Sequence, residues 1–174
     1  MKTRNNITKT SYSNLQITAL TVLRVLIGWH FLYEGLYKVI SPTWSSESYL
    51  ESSTGPFAST FRSLAESDIL LQIADMLNIW GLVLIGLCLF IGAFSKISAY
   101  LGMLLLFFYY ISFPPFGGSY SAAYVDGNYW IVNRNLIEMA SLFVLIAFPV
   151  AHITGLDRFI FKNKYNKSKL KESN

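Results

Sequence analysis

Three sets of polar side chains interrupt otherwise apolar stretches of this chain, each at helical spacing. The first is Arg24, His30, Glu34 and Lys38, the second Asp75 and Asn78, and the third Arg134, Asn135, Glu138 and Ser141. At about 100° per residue each set falls on one face of a helix. An ionisable group inside hydrocarbon costs about 3 kcal/mol or more, so such groups meet partners or line a cavity and are the first candidates for function. Lys38 and Arg134 can donate hydrogen bonds to a carbonyl oxygen, and Glu34 and Glu138 can exchange protons.

With three acids (Glu34, Asp75, Glu138) and two bases (Lys38, Arg134) in one layer, near-complete neutralisation is available. Glu34 could pair with Arg134, and Lys38 with Asp75 or Glu138. Two readings follow. In one, these are structural ion pairs that fix helix register. In the other they line a polar pocket walled by Trp29, Tyr33, Tyr37, Tyr109 and Tyr110, suited to a flat, polar-headed molecule such as a quinone. There Lys38, Glu34, Glu138 and Arg134 would carry the chemistry, and Tyr33, Tyr37, Asp75 and Tyr109 would contact the cofactor. Arg24 leans toward the start of its helix and reads as an anchor. His30 either hydrogen-bonds a neighbouring helix or relays protons. His152, the second histidine, lies far from His30 in depth, which disfavours a bis-histidine haem. No flavin, nucleotide or metal motif is evident, and the lone Cys88 allows neither an intrachain disulfide nor a CxxC pair.

The elements that must hold these residues are membrane spans. The 174 residues are 53% hydrophobic and 14% charged, whereas soluble domains average about 25% charged. Mean hydropathy is +0.40. The apolar residues gather in blocks near the length of about 20 residues that a crossing helix needs. Spans are expected at 16–40, 69–94, 97–113 and 132–153, giving an all-α, four-transmembrane-helix bundle over 16–155 between tails at 1–15 and 156–174. Pro42 and the pair Pro114-Pro115 mark two ends, Gly155 suits a C-cap, and Ser95-Lys96 makes a tight hairpin. The first span contains Arg24 and has no cleavage site, so it is expected to remain in the protein.

Charge orients the bundle. Lys2, Arg4 and Lys9 at one end and Arg158, Lys162, Lys164, Lys167, Lys169 and Lys171 at the other account for the net charge of +4, while the long loops at 41–68 and 114–131 are mainly acidic. Both termini are therefore expected in the cytoplasm, with the long loops outside, in a bacterial cytoplasmic membrane. The positive charge is an orientation signal rather than a nucleic-acid footprint. Phe57, Phe61 and Leu64 are spaced for either an interfacial helix or a plain amphipathic connector in the first loop. Trp44, Tyr49, Tyr120, Tyr124, Tyr129 and Trp130 resemble an aromatic belt, Gly117-Gly118 is turn material, and the stretch after Lys162 has a disordered composition.

The run Arg24-Val-Leu-Ile-Gly28-Trp-His-Phe31-Leu-Tyr-Glu-Gly35-Leu-Tyr-Lys38 resembles the first helix of the DoxX/DoxD-like family, with Arg24, Gly28, Phe31, Gly35 and Lys38 at the pattern positions. Asn135-Leu-Ile-Glu138 and the long loop after the first span fit the same family. The resemblance implies a membrane subunit linked to quinone, in some members the large subunit of a thiosulfate:quinone oxidoreductase or an associate of a terminal oxidase. Thiosulfate oxidation would then require direct transfer to quinone or a partner subunit. Other readings are a noncatalytic scaffold docking an extracytoplasmic protein, or small-solute passage through an oligomer.

Overall fold

The computed structural model describes residues 12–115 and 129–160. Eight helices lie among them: α1 (Asn14–Val39), α2 (Glu47–Glu51), α3 (Ala58–Ala65), α4 (Asp68–Ile91), α5 (Ser95–Ser112), α6 (Arg134–Ala147), α7 (Ala151–Thr154) and α8 (Asp157–Ile160). Helices α1, α4 and α5 are long and apolar enough to cross a membrane. Their outward faces expose Leu26, Leu84, Leu104 and Phe107, an arrangement that only lipid makes favourable. The chain is thus an integral, multi-pass membrane protein. The expectations for the basic residues at 2–9 and 162–171, for Gly117-Gly118, Tyr120 and Tyr124, for the acidic character of 116–128, and for the tail after Lys162 lie outside the described residues.

The core gathers Ile27 and Phe31 of α1, Leu82, Ile85 and Leu89 of α4, Ala99 and Leu106 of α5, and Leu142 and Leu145 of α6. The closest packing joins α1 to α4 through small residues. A Cβ on Gly28 would stand 2.5 Å from the Phe90 backbone nitrogen, and one on Gly35 would stand 2.8 Å from that of Val83. The two backbones touch because side chains are missing there, as expected for helix association in lipid.

Helix ends differ from the expected ones for identifiable reasons. Helix α1 starts at Asn14 because Ser13 and Gln16 form a capping box, Ser13 Oγ accepting from Gln16 N at 3.2 Å and Gln16 Oε1 from Ser13 N at 2.8 Å. Helix α4 stops at Ile91, ahead of the expected 94, because Gly92 takes φ 73° and Ala93 N donates back to Cys88 O at 2.9 Å. Helix α5 starts at Ser95, ahead of the expected 97. Its first amides are capped from far along the chain: Asp157 Oδ1 accepts from Phe94 N at 2.6 Å and Oδ2 from Ser95 N at 3.1 Å.

The expected continuous helix over 132–153 is corrected. Helix α6 ends at Ala147, Phe148 leaves the helical region at φ −121° and ψ 69°, and α7 begins only at Ala151. Pro149 explains the break, since it lacks an amide hydrogen and disfavours the helical region in the residue before it. Gly155 caps α7 in an extended conformation.

Arg24 anchors the hairpin end of the bundle. It is only 3% exposed, and its Nη1 donates to the carbonyls of Leu89 and of Phe90, the latter at 3.2 Å. A cation thus sits on the last carbonyls of α4, where the helix dipole favours it. Replacing Arg24 with leucine is expected to cost about 2 kcal/mol through these charge-assisted bonds, seen as a lower unfolding midpoint in detergent; an unchanged midpoint would refute the anchor.

At the opposite end, the segment after α1 folds over the bundle. Thr54 N and Gly55 N both donate to Ser112 O, at 3.1 and 3.0 Å. Arg62 Nη2 donates to Ser53 O at 3.1 Å, and the Tyr49 ring packs edge-on to Phe113 at 4.7 Å. This loop end is where the charged stripes converge.

Candidate functional site

Each charged stripe sits on a helix with a definable start. Helix α6 is capped by Asn133, whose side chain accepts from Leu136 N at 3.0 Å, so Arg134 opens the first turn and Glu138 follows one turn deeper. On α1, His30, Glu34 and Lys38 descend at i,i+4 intervals spanning about 12 Å of helix. Close packing of α1 against α4 turns that stripe toward α6. A cavity of ≈ 50 Å³ results, partly open to the outside and lined by His30, Glu34, Lys38, Tyr109, Arg134 and Glu138 among others. Phe31, Leu82 and Leu106 supply its apolar floor.

A short polar contact crosses from α1 to α6, where His30 Nδ1 lies 2.6 Å from Glu138 Oε1. The Glu138 side chain is 10% exposed and that of His30 36%. The second oxygen of Glu138, Oε2, is buried without a hydrogen-bond partner among the described residues. Lys38 turns the other way: Nζ donates to Asn78 Oδ1 at 2.7 Å and stands 4.7 Å above the Trp44 ring, a cation–π geometry. Asn78 Nδ2 in turn donates to the Tyr109 hydroxyl at 2.7 Å.

Five of the eight proposed site residues therefore line one cavity: Glu34, Lys38, Tyr109, Arg134 and Glu138. Three do not. Tyr33 and Tyr37 are 58% and 57% exposed. With Trp29 they form the stripe one residue before His30, Glu34 and Lys38, rotated about 100° away and onto the outer surface of α1. Tyr110 is likewise absent from the lining, its hydroxyl donating to Ile131 O at 2.9 Å. Asp75 serves the loop: its Oδ1 accepts from Ser46 N at 2.7 Å and from Ser46 Oγ at 2.5 Å.

The anticipated ion pairs are likewise rearranged. Among the described residues the ion pair formed is His30 with Glu138, whereas Lys38 takes an amide and a ring instead of a carboxylate. His30 bonds a neighbouring helix, one of its two expected roles, and it lines the site although the residues expected to carry the chemistry do not include it. A signal for it existed, since its spacing to Glu34 and Lys38 puts it on their face. Nothing in the sequence singles out Trp44 as a lid on Lys38, because that contact depends on the path of the loop.

The cavity offers ammonium and guanidinium donors, two carboxylates and an imidazole around a space for a few water molecules. It is smaller than the roughly 150 Å³ that encloses a benzene ring. It can therefore hold the polar edge of a larger molecule, with hydrogen bonds and proton exchange, but does not surround a ring.

A family model described as DoxX matches residues 19–114, which contain all but the first turn or so of α1, all of α4 and α5, and the loop between the first two. No curated protein and no solved structure matches the chain.

Proposed function

The chain belongs to the DoxX family of integral membrane proteins, and from this premise we propose that it is a quinone-linked membrane subunit whose charged cavity holds the polar edge of the quinone. The observation that carries the reading is the convergence of Glu34, Lys38, Arg134 and Glu138 on one cavity of a membrane bundle. Lys38 and Arg134 are the donors for a carbonyl oxygen. Glu138, bonded to His30, is the proton-exchanging carboxylate, and Glu34 lies on the same wall. A bound quinone supplies a two-electron, two-proton acceptor, with the electrons coming from thiosulfate or from a partner subunit.

In this proposal α6 followed by α7 makes the fourth crossing. Helix α6 alone extends about 21 Å, short of a hydrocarbon core of about 30 Å, so the turn at Phe148 to Val150 and α7 complete the depth. Both termini lie in the cytoplasm of a bacterial cell, and the loop end carrying α2 and α3 faces outward. Helix α3 rests on the membrane surface with its N-cap residue, Phe57, directed into the membrane.

A second reading has its own support. Lys38, Glu138 and Asp75 each have partners within the chain, as they would in a noncatalytic scaffold that docks an extracytoplasmic partner through the loop end. Quinone extraction and thiosulfate-dependent quinone reduction, with the wild-type protein and Lys38→Met in one detergent, separate the two. Bound quinone with affinity about tenfold weaker in Lys38→Met, the loss of one charge-assisted hydrogen bond, supports the subunit. Well-folded protein with neither quinone nor activity supports the scaffold.

A further inference from the structure

The bonds from Lys38 to Asn78 and from Asn78 to Tyr109 have a fixed direction. A lysine ammonium carries donors only, so the 2.7 Å contact makes Asn78 Oδ1 the acceptor and decides which way the amide faces. The amide nitrogen must then donate to Tyr109 across 2.7 Å. The Tyr109 hydroxyl therefore accepts from Asn78, and its own hydrogen has no acceptor among the described residues. Tyr109 lines the same cavity as Glu138, whose Oε2 is buried and unmatched. Two residues that line the cavity thus carry one oriented donor and one buried acceptor without a partner.

We propose that Glu138 acts as a selector for a hydroxyl group that Tyr109 holds by donating to its oxygen, so that the cavity prefers the hydroquinone form of a ring ligand over the quinone form. This specificity rests on the quinone reading above. A phenolic hydroxyl accepts from Tyr109 and donates to Glu138 Oε2, satisfying both. A carbonyl oxygen only accepts and leaves the buried carboxylate oxygen unmet, which carries a penalty. The volume agrees with this assignment, because ≈ 50 Å³ admits a hydroxyl and not the ring that bears it. Asn78 is a positioning residue: it touches no ligand and sets the direction in which Tyr109 donates.

The test uses the full-length protein in lipid nanodiscs under anaerobic conditions, with decyl-benzoquinone and decyl-hydroquinone as probes and dissociation constants from equilibrium dialysis. The hydroquinone is expected to bind about tenfold more tightly than the quinone in the wild type. Glu138→Gln, whose amide can donate, is expected to abolish or reverse that ratio. Tyr109→Phe weakens both forms and leaves the ratio near its wild-type value. Asn78→Asp keeps an acceptor for Lys38 but takes the Tyr109 hydrogen for itself, so it weakens both forms as Tyr109→Phe does while the unfolding midpoint stays unchanged. Equal affinity of the two forms for the wild type, or a ratio that Glu138→Gln leaves intact, overturns the selector while the quinone reading stands. Binding of neither form overturns both.

Discussion

A single added methyl at Gly28 is expected to destabilise the protein by about 3 kcal/mol, while the same methyl at Gly81 leaves it at or slightly above wild-type stability. The two glycines sit on the packed pair α1 and α4 but differ in what a Cβ would meet. At Gly28 it meets the backbone of α4, 2.5 Å from Phe90 N and 2.9 Å from Phe90 Cα. Backbone atoms cannot swing aside as a side-chain end can, so the helices must part and lose their contact. At Gly81 nothing lies within 4 Å, and alanine is the better helix former by about 1 kcal/mol. Thermal unfolding of Gly28→Ala and Gly81→Ala in one detergent reads both signs. Equal midpoints would show that the α1–α4 contact is looser than described.

The consequence extends to the site. Rotating or separating α1 moves His30, Glu34 and Lys38 together, because they are one face of one rigid helix. Gly28→Ala should therefore also weaken the contacts from Lys38 to Asn78 and from His30 to Glu138, although it touches neither. Pairing with α4 is how an apolar surface far from the cavity controls its geometry.

What the sequence reveals about this molecule follows the reach of each interaction. Gly28 and Gly35 are legible because their spacing beside a polar stripe is local and periodic. The convergence of Glu34, Lys38, Arg134 and Glu138 also follows from periodicity, since buried charges on two helices must face inward. Tyr33 and Tyr37 go astray because an aromatic ring tolerates either lipid or a cavity, so chemistry alone cannot choose a side. Helical phase could have done so: they sit one residue ahead of the polar stripe. Asp75 and Lys38 exchange their expected partners for Ser46, Asn78 and Trp44 because the loop after α1 returns across the helix ends, and no periodic signal encodes that path. The start of α5 depends on Asp157, some 60 residues away along the chain, and such a cap has no local signature. The break after α6 is encoded locally, since Pro149 alone forces it.

The bond between His30 and Glu138 yields the second large effect, an asymmetry between its partners. Removing one member of a buried pair leaves the other uncompensated, and the harm depends on what remains. His30→Ala leaves Glu138 with a 10% exposed side chain and with neither oxygen bonded, Oε2 being unmatched already. This variant is expected to lose about 3 kcal/mol, at the lower end of the range for breaking a buried pair. Glu138→Ala leaves an imidazole that is 36% exposed and borders the partly open cavity, and an imidazole needs no charged partner. Its loss is expected to be about 1 kcal/mol. The double variant should then be more stable than His30→Ala alone, because it removes the stranded carboxylate as well. A double-mutant cycle by denaturant unfolding in detergent measures all three differences. If His30→Ala proves no worse than Glu138→Ala, Glu138 has water or another partner at Oε2, and the cavity no longer offers the vacant acceptor on which its choice of ligand depends.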